Sequence, residues 1–224
     1  MCIAFLGVWL FAGVEANAQD FGNLARYAEQ NKELQQLGKK EKRVVFMGNS
    51  ITEGWVNQRP DFFRANNYVG RGISGQSSYQ FLVRFREDVI NLLPDLVVIN
   101  AGTNDVAENT MAYNEDYTFG NIVSMVEMAQ ANKIKVILTS TLPASSFGWN
   151  PKIRDAAVKI ASLNDRIRAY AKKHRIPYVD YYEKMVFGEE KALNPAYTND
   201  GVHPTVEGYV VMEQLIKKAI EKEL

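Results

Sequence analysis

Residues 95–102 read DLVVINAG: an aspartate, four consecutive apolar residues, then Asn100, Ala101 and Gly102. A strand with one wet face alternates apolar and polar positions. A strand buried on both faces carries an unbroken Val/Ile/Leu run, the mark of a parallel sheet lying under two layers of helix. KVILTS at 135–140 repeats the pattern. Working outward, apolar runs at 43–47, 68–71, 96–100, 135–139 and 178–181 alternate with helical patterns at 77–92, 116–132, 155–174 and 205–223. Strands alternating with helices predict an α/β domain around a parallel sheet. A polar amphipathic helix over 21–38, closed by Gly38, precedes the first strand. Two long irregular stretches, 105–115 and 142–154, each follow a strand. In open α/β sheets the ligand lies beyond the carboxyl ends of the strands, so these loops border the site. The second supplies Phe147 and Trp149 as candidate substrate-binding aromatics.

At 224 residues the chain fits one domain. Its 26 basic and 26 acidic residues balance, and the densest basic run, Lys39 to Arg43, is broken by Glu41. That is a solvated helix end, not the basic stripe of a nucleic-acid binder. The same balance argues against docking on anionic membranes. Residues 3–14 form an apolar run too short to span a bilayer, and Ala16-Asn17-Ala18 gives an A-x-A cleavage pattern. These features predict a signal peptide over 1–18, a mature domain over 19–224, and a secreted or periplasmic protein without stable membrane insertion, although no Lys or Arg precedes the apolar run. Cys2 is the only cysteine, so the mature chain would lack disulfides, thiolate metal sites and a cysteine nucleophile. Of the two histidines, His174 reads as a helix C-terminal residue, leaving no evident metal-ligand set.

Polar clusters follow the first three apolar runs: GNS at 48–50, GRGISGQSS at 70–78 and GTND at 102–105. A fourth, NDGVHP at 199–204, precedes the last helix. Ser50 has two readings. With Glu53 it matches the S-x-x-E capping box. A serine at a helix start also sits beside free N–H groups and the positive end of the dipole, where developing negative charge is stabilised, so it is equally a candidate nucleophile. Asp200 and His203 lie three apart in a glycine-containing loop, a spacing that lets a carboxylate orient an imidazole that takes a serine proton. The same pair would also serve as half of a metal site. Gly75 can present its N–H with no Cβ in the way. Asn104 reads either as a turn residue or as an amide aimed into the site. With the N–H of Ser50 these are three candidate oxyanion donors. The G-x-S-x-G nucleophile elbow is not met at Ser74, because Gly75 is followed by Gln76. Ser74, Ser77 and Ser78 read as turn and helix-start residues.

In order and content the four clusters resemble the blocks of the SGNH hydrolases, also called GDSL-like esterases and lipases, over about residues 43–210. The resemblance implies a flavodoxin-like three-layer α/β/α sandwich with a central five-stranded parallel sheet. It further implies a Ser50–His203–Asp200 arrangement, an oxyanion hole from Ser50, Gly75 and Asn104, and hydrolysis of acyl esters without metal or other cofactor. Asn49 departs from the pattern, since the family has Asp there. Export, the neutral charge balance and the two aromatics favour small or carbohydrate-borne acetyl esters as substrates. Lysophospholipids, platelet-activating-factor-like lipids and thioesters are the alternatives within the class. From other classes, a catalytically silent carbohydrate-binding module would lack a triad member, and all are present. A phosphate or flavin binder using GNSIT as its anion loop would have no need of Asp200 and His203.

Overall fold

The computed structural model describes residues 19–38 and 41–224. The predicted signal segment, 1–18, lies outside the described residues. Strands β1 (Val44–Gly48), β2 (Tyr68–Gly72), β3 (Leu96–Ile99), β4 (Lys135–Thr139) and β5 (Tyr178–Val179) form one sheet in the order β2-β1-β3-β4-β5. Every pairing is parallel. This is the flavodoxin-like order. All five expected strands are present, but β5 stops two residues early. There the Asp180 side chain accepts from Glu183 N and starts a helix.

The helices are α1 (Ala28–Gln36), α2 (Ser50–Gln58), α3 (Pro60–Ala65), α4 (Ser78–Asp88), α5 (Thr103–Val106), α6 (Glu115–Ala131), α7 (Ala156–His174), α8 (Tyr181–Met185) and α9 (Val206–Glu223). The segment read as one helix over 21–38 is instead an arm, a 3-10 turn at Leu24–Tyr27 and then α1. A small antiparallel pair, Val186–Phe187 with Ala192–Leu193, was not anticipated.

Successive strand residues feed two cores. Val45, Met47, Val97, Ile99, Val136 and Leu138 pack with Phe81 and Phe85 of α4, Ile122 and Met125 of α6, and Leu163 and Ile167 of α7. Val44, Phe46, Leu96, Val98 and Ile137 face the other way, onto Trp55, Phe63, Tyr209, Met212 and Ile216. With helices on both faces nearly every strand position is buried, which explains the long apolar runs. A third cluster, including Val106, Ala144, Phe147, Ile160 and Val202, supports the loops that follow β3 and β4. From β2 the chain crosses over β1 to place β3 on its other side. The reversal of strand order therefore falls between β1 and β3, the topological switch point where such sheets bind ligands. Ser50 and Asn104 come directly after those two strands.

Candidate active site

Ser50 is the first residue of α2, and the cap is Asn49, whose buried Oδ1 accepts from Ile51 N at 3.0 Å. The expected capping box is therefore not formed at Ser50 and Glu53. Asn49 keeps the acceptor oxygen that an aspartate would offer, so its departure from the family pattern leaves the cap in place. Ser50 Oγ instead lies 2.8 Å from His203 Nε2. A capping box does form one block later, where Gln80 Oε1 accepts from Ser77 N at 2.9 Å at the start of α4.

The loop 198–204 brings the imidazole to the serine. Gly201, at φ +81°, takes a left-handed conformation that side-chain-bearing residues rarely adopt. The resulting turn lets Asp200 Oδ1 accept from Val202 N at 2.9 Å and His203 N at 2.8 Å. That leaves Oδ2 for His203 Nδ1, 2.6 Å away. Partial burial pushes the Asp200 carboxyl up, but hydrogen bonds from the His203 ring and from the His203 and Val202 backbone outweigh it and hold the group down at about 2. An ionised Asp200 accepts the Nδ1 proton, which leaves the lone pair of Nε2 facing the Ser50 hydroxyl.

Ser50, Gly75, Asn104, Trp149 and His203 line one open pocket of about 350 Å³, with Ser74 and Asn109 in its wall. Residues from all four sequence blocks thus meet at one place. A roomier cavity of about 590 Å³ beside loop 142–154 contains no residue of the four blocks, so size alone does not locate the chemistry. Gly75 has φ +78° and open space where a Cβ would stand. Asn104 is buried, and one amide N–H is given to Gln76 O at 2.9 Å. A primary amide has a second N–H, so this bond orients the group without exhausting it.

The two candidate aromatics part company. Trp149 is 47% exposed, its ring centroid 6.2 Å from that of His203, and its Nε1 donates to Asn109 Oδ1 at 2.8 Å. Phe147 is fully buried in the third core cluster, 5.2 Å from the Trp149 ring. Phe147 is not part of the pocket shared by Ser50 and His203; it packs against Trp149 and borders the roomier neighbouring cavity.

Several site-building residues escaped the sequence reading. Arg84 of α4 is wholly buried, paired with Asp88 at 2.8 Å, and donates to Gly48 O and Arg71 O at the ends of β1 and β2 and to Gln76 Oε1. Asn109 Nδ2 donates to Gly75 O at 3.1 Å. Glu53 Oε2 accepts from Ser74 N at 2.9 Å and from the Ser74 hydroxyl. A buried hydrogen-bonded arginine looks, in sequence, like any helix-surface arginine.

The GDSL-like Lipase/Acylhydrolase family model matches residues 46–211, a span that takes in all four blocks. A GDSL-like lipase from Bacteroides thetaiotaomicron is 72% identical and superposes with a TM-score of 0.90, covering 92% of this chain and 100% of that one. An acetylxylan esterase of Xylanibacter ruminicola is 23% identical over 80% of this chain and 43% of that protein. An N-acylneuraminate cytidylyltransferase of Escherichia coli is 24% identical over 80% of this chain and 40% of that protein. The chain thus spans less than half the length of these two curated relatives. A family match over most of the chain, on this sheet and with these blocks, shows that the protein belongs to the GDSL-like lipase/acylhydrolase family of carboxylic ester hydrolases.

Proposed function

We propose that this protein is an exported serine esterase that removes acetyl groups from carbohydrate-borne or small esters. The observation that carries the reading is the unbroken chain from Ser50 Oγ through His203 to Asp200, at 2.8 and 2.6 Å, opening onto a pocket shared with Gly75 and Asn104. Ser50 Oγ attacks the ester carbonyl while His203 Nε2 takes its proton. The carbonyl oxygen becomes an oxyanion held by the N–H groups of Ser50 and Gly75 and the free amide N–H of Asn104. Collapse expels the alcohol, which takes the proton from His203. Water then repeats the sequence on the acyl-enzyme and regenerates Ser50.

Support for an acetylated carbohydrate comes from three directions. The pocket is small and open, and the exposed indole of Trp149 at its wall offers a flat face to a sugar ring. The acetylxylan esterase of X. ruminicola is a distant relative. Export is supported by the apolar run and A-x-A pattern over 1–18. The test is a hydrolysis panel of p-nitrophenyl acetate, longer p-nitrophenyl esters, acetylated xylan and lysophosphatidylcholine. Release of acetate from xylan, with kcat/KM falling as the p-nitrophenyl acyl chain lengthens, is the expected result. Preference for lysophosphatidylcholine or long acyl chains contradicts it.

A further inference from the structure

Ser50-x-x-Glu53 has the spacing of a capping box, yet the Glu53 carboxylate reaches Ser74 instead. Residues 73–76 form a turn in which Ile73 O accepts from Gln76 N at 3.3 Å. Gly75 is its third residue, with φ +78°, and Ser74 is not among the residues of positive φ. That combination belongs to the type II turn. Type I and type II turns differ mainly by a rotation of the central peptide through roughly half a turn. The central peptide here is Ser74–Gly75, and its N–H is the Gly75 donor of the oxyanion hole. An unrestrained turn has a second state in which that N–H points away.

Glu53 is held in turn by the N-terminal arm. Its Oε1 pairs with Arg26 Nη2 at 2.8 Å, and its side chain is 18% exposed. Burial raises the Glu53 carboxyl, but the bonds from Ser74 and Arg26 more than offset it and keep the group lowered and ionised. The same arm holds the chain just before the turn, at Gly72, and at its last residue, Gln76. The Tyr27 hydroxyl donates to Gly72 O, and Gly22 O accepts from the buried Gln76 Nε2 at 2.9 Å.

Resting on the esterase reading above, we infer that the arm at 20–27 and Glu53 form a clamp fixing the orientation of the Ser74–Gly75 peptide. Glu53 and Arg26 are then positioning residues for the oxyanion donor at Gly75. The clamp acts on the transition state, where the oxyanion exists, more than on the bound ester. Loss of one oxyanion donor costs roughly a hundredfold to a thousandfold in kcat, and a donor present for part of the time costs less.

Kinetics on p-nitrophenyl acetate, thermal melts and the affinity of phenylboronic acid, a tetrahedral transition-state mimic, test this together. Glu53→Ala is expected to lower kcat by about tenfold to a hundredfold with KM within about threefold. Boronate affinity should fall in step with kcat/KM. Glu53→Gln keeps an acceptor oxygen for Ser74 N and should recover most of the loss. Arg26→Ala should lower kcat at least about twofold with Tm unchanged, because a loosened Glu53 holds the turn less often. Wild-type kcat and boronate affinity in Glu53→Ala overturn the clamp. So does a lowered Tm with undiminished kcat per folded molecule. Should Glu53→Ala not fold, Arg26→Ala decides, and unchanged kcat there overturns the clamp. Ser50→Ala separates the two claims: if it hydrolyses ester normally, the esterase mechanism itself fails, whereas an inactive Ser50→Ala beside an unaffected Glu53→Ala removes the clamp alone.

Discussion

Asp200 commits one carboxylate oxygen to the backbone of its own loop and presents the other to His203. Asp200→Asn keeps an oxygen for the Val202 and His203 N–H groups, so the loop should survive. Its NH₂ would face Nδ1, however, forcing the proton onto Nε2, the wrong tautomer for accepting from Ser50. Turnover should drop about ten-thousandfold with little change in Tm. The depressed carboxyl also predicts an acid limb of stability. A group held at about 2, below the ordinary aspartate value of about 3.9, stabilises the fold above pH 4 and loses that contribution as pH falls toward 2. Because the side chain is 52% exposed, the effect is small. Melts from pH 5 to 2 should show the slope in the wild type and a flatter one in Asp200→Asn. Asp200 and His203 were legible because their partnership is local, three residues apart. Glu53 was misread because its local motif is genuine, while its actual partner lies 21 residues away in a turn.

Loop 142–154 shows how far element-level reading reaches. Its position after β4 pointed to the carboxyl edge of the sheet, and its Trp149 lines the pocket that also holds Ser50 and His203. Which of its aromatics faces outward was not legible, because an irregular loop has no period from which to assign faces. Phe147 is in the core and Trp149 at the pocket wall, so the two should respond differently to truncation. Phe147→Ala should destabilise by about 3–5 kcal/mol. Trp149→Ala should cost about 1 kcal/mol or less, yet shift the ranking of acetylated xylan against p-nitrophenyl acetate. Denaturant melts beside the two-substrate comparison check both. Equal destabilisation by the two substitutions would contradict the placement of Trp149. The strands were the most legible elements for a related reason: burial on both faces leaves a signal in every position, as in Leu96 to Ile99.

Across the whole molecule, the first three blocks meet because a parallel sheet puts the carboxyl ends of its strands on one edge, and the loop before α9 carries the fourth to them. The arm that contacts the 73–76 turn was not legible: residues 20–27 look like the start of a polar helix, and their contacts with Gly72, Glu53 and Gln76 are made only in the folded chain. Arg84 was hidden likewise, since full burial of an arginine depends on carbonyls supplied by β1 and β2. Ser50 is the proposed nucleophile, and intact-mass analysis after exposure to a serine-directed fluorophosphonate tests that role most directly. The wild-type protein should gain one adduct, mapping to Ser50, in proportion to lost esterase activity, and Ser50→Ala should gain none. A stoichiometric adduct elsewhere, or a Ser50→Ala protein that still hydrolyses p-nitrophenyl acetate at near the wild-type rate, would contradict it.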